Sequence, residues 1–223
     1  MCIAGAAPCN LGHIILLILE TSIACDKSQP SLDFTVNLPK MFIQLFTMNL
    51  YVMRHGRTNY NDLGLCNDDP SQDVHLTETG IAQAQSAARE LRDVDFERIL
   101  VSPLPRTRQT AEIVNQYHAV PIEAHPDLAD IRSGFEGRPV CNYFAAISHD
   151  PLRMRVNGGE SLLDHKQRVL RFIGGLKMQQ DKTLLVVAHE ETLRVFVAYF
   201  EGGVEDSRLR DIHVGNCEYR HYV

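Results

Sequence analysis

The sequence predicts an α/β fold: a three-layer sandwich with a mostly parallel central sheet and helices on both faces. Two observations carry this. From Met48 onward, short apolar runs alternate with amphipathic stretches, the rhythm of strand–helix–strand units. The clearest run, Thr183–Ala188, is apolar almost without interruption, as a strand covered on both faces must be. A third observation concerns function. Three of the runs end in polar, chemistry-bearing residues: Arg54-His55, Ser102-Pro103 and His189.

The elements follow in order. Residues 49–54 are the first strand, and residues 62–76 are a polar loop. Thr77 caps a helix with Glu78 in its first turn. Ile81, Ala84, Ala88 and Leu91 share one face of that helix. Residues 98–102 form a second strand stopped by Pro103. A helix over 105–118 turns Ala111, Val114 and Tyr117 inward. Residues 120–124 make a short strand whose Pro121 places it at an edge. The stretch 126–160 is irregular, with one helical segment at 141–148; loops of this length are usually functional. A long helix over 161–180 buries Leu162, Val169, Ile173 and Leu176. The central strand 183–188 leads to an apolar helix at 191–200. Residues 211–222 read as two short strands around Gly215-Asn216.

Residues 1–47 differ from the rest. They hold only Lys27 and Lys40 as basic residues, and the run Ile14–Leu19 is too short to cross a bilayer. They read as an extension outside the fold, or outside the translated chain, with the fold spanning 48–223. An export signal is the alternative, although no Lys or Arg precedes the apolar run.

Composition bounds the function. The chain has 223 residues, 44% hydrophobic and 22% charged, with a net charge of -6. That balance describes a globular protein and argues against general nucleic-acid binding. Its six cysteines form no C-x-x-C pair, so reduced thiols in a cytoplasm are expected.

The strand ends carry the chemistry. In a parallel sheet all three open on one edge, where open α/β folds bind ligands. Arg54, His55, Arg106 and His189 would then form a compact cationic pocket. Guanidinium forks match phosphate oxygens, and so much buried positive charge is costly without an anion. Taken singly, each residue has an ordinary explanation. Arg106 is accounted for by pairing with Glu112 or Asp95 on a solvated helix, and His189 by a satisfied strand end. All of these explanations holding at once is a much poorer account.

Five motifs then stand in a fixed order: Arg54-His55-Gly56-x-Thr58-x-x-Asn61, Leu76-Thr77-x-x-Gly80, Ser102-Pro103-Leu104-x-Arg106-Thr107-x-Gln109-Thr110-Ala111, Gly158-Gly159-Glu160-Ser161 and Val187-Ala188-His189. From Met48 to Val223 the chain resembles the histidine phosphatase superfamily, the phosphoglycerate mutase-like proteins. The resemblance implies a phosphohistidine on His55. Arg54, Arg106 and His189 would clamp the phosphoryl group, with Thr58 and Asn61 beside it and a backbone amide at Glu190. Asp130 takes the place of the family's proton-donating Glu, with Glu136 as the alternative acid. Arg57 stands where the family commonly has Glu, and Glu190-Glu191 where it commonly has Gly-Gly. The two swaps are opposite in charge, so Arg57 and Glu190 are expected to face each other across the rim.

The expected activity is a metal-independent phosphomonoester hydrolase without cofactor. The partners expected are a small phosphorylated substrate, no nucleic acid and no membrane, with the chain a monomer or homodimer. A phosphoglycerate mutase-type transfer and a silent phospho-ligand binding protein are the competing readings. The short segments around Asp130 and after His189 favour hydrolysis, because a mutase must cover its phosphohistidine.

Overall fold

The computed structural model describes residues 48–176 and 182–223. The extension expected over 1–47 and the end of the helix expected to reach residue 180 lie outside the described residues. Five strands form one sheet: β1 (Asn49–Arg54), β2 (Arg98–Val101), β3 (Ile122–Ala124), β4 (Thr183–Ala188) and β5 (Tyr219–Tyr222), in the order β3-β2-β4-β1-β5. β4 pairs in parallel with both β1 and β2, β3 is a parallel edge, and β5 runs antiparallel along β1. The sheet is therefore mostly parallel, and the fold is α/β.

Strand side chains alternate between two cores, as the pleat requires. Leu50, Val52, Leu100, Leu184 and Val186 face α5 (Leu162–Leu176) and α6 (Glu190–Glu201). Met53, Ile99, Val101, Leu185 and Val187 face α2 (Glu78–Leu91) and α3 (Pro105–Asn115). Two shorter helices, α1 (Asn59–Leu63) and α4 (Val140–Ala146), sit in the segments that follow β1 and β3. A turn of 3-10 helix at Pro126–Leu128 and another at Asp206–Asp211 complete the connections.

The structure corrects several expectations. α1 interrupts what reads as open loop, because Thr58 and Asn61 make a capping box that starts a turn there. Ile81 is exposed, since Gly80 and not Ile81 meets the loop after β1. Tyr117 is half exposed: α3 stops at Asn115, whose side chain bonds both the N–H and the C=O of Val120. Only one strand forms near the end of the sequence. The turn at Gly215–Glu218 lets residues from Tyr219 onward pair with β1, and those before it lead out of a 3-10 helix.

The register fixes the site. Arg54 lies beside Ala188, and Val101 beside Val187. Arg54-His55, Ser102 and His189 thus leave three adjacent parallel strands at the same edge.

Candidate active site

His55 is buried at the end of β1, and its position is over-determined by the backbone. Its N–H donates to Ala188 O at 3.0 Å, and its C=O accepts from Asn216 Nδ2 at 3.0 Å. Its ring Nδ1 lies 2.8 Å from Gly56 O. A carbonyl only accepts, so Nδ1 carries the proton and Nε2 keeps its lone pair. Arg106 Nε donates to that Nε2 at 3.2 Å. Burial, and then the Arg106 guanidinium and His189, hold the His55 pKa well below the ordinary histidine value. The ring is a neutral imidazole with one fixed tautomer.

The glycine after it serves packing rather than an anion. A Cβ on Gly56 would come within 2.6 Å of Gly80 O, and one on Gly80 within 2.0 Å of Arg57 O. The two motif glycines let the loop after β1 rest on the first turn of α2. The Gly56 N–H is already given to Thr110 Oγ1 at 3.0 Å.

Arg106 reaches the floor from the first turn of α3. Thr107 Oγ1 donates to Ser102 O and Leu104 O, which fixes how the helix leaves β2. The guanidinium also donates to the side chain and the carbonyl of Asn67, and to Asp130 Oδ2 at 3.0 Å. It is buried, so neither pairing with Glu112 nor with Asp95 describes it; Arg108 is the residue near Glu112.

His189 caps the N-terminus of α6, its ring 5.2 Å from that of His55. Its Nε2 lies 2.8 Å from Ser102 Oγ, which itself accepts from Leu104 N–H. The Ser102 proton is thereby free for Nε2, which leaves the His189 proton on Nδ1. That nitrogen sits 3.5 Å from Asp130 Oδ2. Burial and then Arg106 keep His189 neutral as well, with a pKa well below the ordinary value. His189 Nδ1 and Arg54 Nε are buried nitrogens without a hydrogen-bond partner.

Asp130 and Glu136, the two alternative acids, have different surroundings. Asp130 Oδ2 stands between Arg106 and His189 and faces the cavity. Glu136 instead takes N–H groups from Asn67, Asp68 and Asp69 with both oxygens, and so holds a loop. Asp130 is kept in place by Arg168 on α5, which donates to the carbonyls of Asp127, Ala129 and Asp130 and pairs with buried Glu160. Burial alone would raise the Glu160 pKa, but hydrogen bonds from His165 and Arg168 bring it down to about 2. The motif glutamate thus anchors the segment that carries Asp130. Its sequence signal was the Gly-Gly-Glu-Ser motif; Arg168 gave none.

The cavity above this floor measures about 270 Å³. Arg54, His55, Asn61, Asp130 and Glu190 are among its lining residues; Thr58 is not, and Arg106 and His189 lie buried behind that lining. The Thr58 hydroxyl instead accepts from Asn61 N–H as the cap of α1. Arg57 and Glu190 do not face each other. Arg57 pairs with Asp62 on α1, within reach five residues away. The Glu190 carboxylate is taken by Arg54 at 2.7 Å and Arg194 at 2.9 Å, with His213 at 3.2 Å.

The family model described as histidine phosphatase superfamily (branch 1) matches residues 50–223. The chain belongs to this superfamily. The phosphatase PhoE of Bacillus subtilis is 30% identical over 176 residues, which cover 75% of this chain and 86% of that protein. The adenosylcobalamin/alpha-ribazole phosphatase of Salmonella typhimurium is 33% identical over 160 residues, 68% of this chain and 78% of its own. Among solved structures, the alpha-ribazole phosphatase of Shigella flexneri superposes with a TM-score of 0.71 at 29% identity, covering 78% of this chain and 89% of that one. A phosphoglycerate mutase from Bacillus anthracis shares the fold, at 20% identity and a TM-score of 0.65. This histidine phosphatase is a phosphomonoester hydrolase of the phosphohistidine type. No helix among its described residues is long and apolar enough to cross a membrane.

Proposed function

We propose that His55 Nε2 is the nucleophile that takes the phosphoryl group. The observation that carries this is the Nδ1–H to Gly56 carbonyl bond, which leaves Nε2 with a lone pair beside Arg106. A neutral, desolvated imidazole of fixed tautomer needs no base to activate it.

The other roles follow from charge. Phosphoryl transfer spreads negative charge over the equatorial oxygens, so positioning and electrostatics do most of the work. Arg54, Arg106 and the Nδ1–H of His189 supply the donors, and Asn61 stands at the wall. Asp130, taking up a proton as the anionic phosphoryl group binds beside it, gives that proton to the leaving alcohol oxygen as the P–O bond breaks. As a carboxylate it then takes a proton from water, which attacks phosphorus and frees His55. Glu190 enters by its carboxylate, which shares Arg54 with the incoming phosphoryl group. Thr58 acts by shaping α1, one step removed from the substrate. Cys66, Cys141 and Cys217 are free thiols, which supports a cytoplasmic setting.

The test is acid-quenched trapping with a ³²P-labelled phosphomonoester, followed by peptide mapping. The label is expected on His55 and absent from His55→Ala. Label on another residue would overturn the assignment. Because guanidinium and imidazole donors carry the charge, activity is expected to survive EDTA. Loss on chelation, restored by added Mg²⁺ or Zn²⁺, would overturn that part.

A further inference from the structure

The outer half of the cavity has a character that the phosphoryl floor does not require. One wall is apolar: Leu65, Ile131, Val140, Tyr143 and Phe144. Glu190 and Glu191 line the same cavity, where the sequence departs from Gly-Gly. The nearby guanidiniums are already committed. Arg194 gives Nε to Ile212 O at 2.8 Å, Nη2 to Glu190 at 2.9 Å and Nη1 to Glu191 at 3.0 Å. Arg210 gives Nε to Glu191 at 3.0 Å and Nη2 to the Tyr143 hydroxyl at 3.0 Å. Its guanidinium also lies 5.1 Å from the Phe144 ring centroid, which braces the aromatic wall from behind. His213 Nδ1 is held by Glu190. Glu191 Oε2, by contrast, is buried and accepts from nothing.

This half therefore offers flat apolar surface and carboxylate acceptors, while its cations are spent on those same carboxylates. We propose that it selects phosphomonoesters of alcohols with an apolar, ring-sized body and a hydroxyl or ammonium donor, and rejects esters that carry a second anion. The inference rests on reading the floor as the phosphoryl site. A ring can lie against Tyr143 and Phe144, and a donor can bond to a carboxylate at the wall that Glu190 and Glu191 line. A second carboxylate or phosphate would face Glu190 and Glu191, whose neighbours Arg194 and Arg210 are already engaged with them, and like charges set face to face are strongly disfavoured.

The experiment is steady-state kcat/KM on the full chain with two matched pairs of esters. Glycerol 3-phosphate and 3-phosphoglycerate differ by a hydroxymethyl against a carboxylate. 2-Phenylethyl phosphate and ethyl phosphate differ by the ring. The first member of each pair is expected to be better by about tenfold or more, the equivalent of one misplaced charge or one lost ring contact. Glu190→Gln with Glu191→Gln is expected to bring the first ratio toward one, and Phe144→Ala to narrow the second. A ratio of one or less for either pair in the unaltered protein would overturn the selectivity. If the ³²P label is still on His55, the phosphatase floor stands without it. Label on another residue overturns both.

Discussion

The floor and the rim of this cavity are built by different means. The floor hangs on the backbone. His55 is fixed by Ala188 O, Gly56 O and Asn216, and Arg106 by the turn that Thr107 and Ser102 make after β2. The rim is held by side-chain ion pairs between segments far apart in sequence, such as Glu191 with Arg210 and Glu190 with Arg54. Backbone geometry is set by the sheet and tolerates no drift. Ion pairs can be re-dealt by a few substitutions, so in the proposed reading chemistry belongs to the floor and choice of substrate to the rim.

The sharpest way to break this division is Arg106→Ala. It removes the donor to His55, Asp130 and Asn67 together. A fall in kcat on the order of 10³-fold is expected with every ester, the scale seen when a fixed donor to a developing charge is lost. A fall that spared some esters would move Arg106 to the rim side of the division.

Next in size is Asp130→Asn. Losing a general acid costs roughly 10²- to 10⁴-fold, but only where the leaving group needs a proton. In kcat/KM, which reports the phosphorylation step and not the later attack of water, ethyl phosphate should therefore suffer the full loss and p-nitrophenyl phosphate much less, which a Brønsted comparison of the two reads directly. Equal losses would mean that Asp130 does not protonate the leaving oxygen.

Glu160→Gln tests what supports the floor from behind. It breaks a buried pair with Arg168, and such a break costs about 3–5 kcal/mol, or roughly 6–20 °C in Tm for a protein of this size. The pH dependence has a definite sign. The folded pKa, about 2, lies below the unfolded value of 4.5. The stability is therefore full above pH 4.5 and is lost as pH falls from there toward 2. Melting curves across that window should show this limb in the parent protein and a weaker one in the variant. An unchanged limb would place the acid sensitivity elsewhere.

The smallest effect concerns Arg57 and Glu190. Their partners are separate: Asp62 for one, and Arg54, Arg194 and His213 for the other. A double-mutant cycle with Arg57→Glu and Glu190→Gly should give a coupling within about 0.5 kcal/mol of zero. A larger value would reconnect the two sides of the rim.

The same division explains what the sequence disclosed. Arg54, His55 and His189 were legible because they end apolar runs, and parallel strands bring such ends together. Asp130 was legible only through the family motif. Arg168 was not legible at all, because a cation among the apolar positions of α5 looks like any solvated helix residue until the carbonyls of Asp127, Ala129 and Asp130 are placed beside it. Opposite charges suggested Arg57 with Glu190, yet charge alone cannot choose among partners. Asp62 wins because it is a local neighbour on the next short helix.

β1 leads directly into His55, and both its neighbours in the sheet, β4 and β5, come from residues 183–222. During synthesis β1 therefore emerges before either of its sheet partners. Pairings so distant in sequence form late and slowly, and an unpaired apolar strand is a template for wrong partners in the meantime. The strand that leads into the proposed nucleophile is thus open to wrong partners until residues 183–222 arrive, and the site cannot form before then.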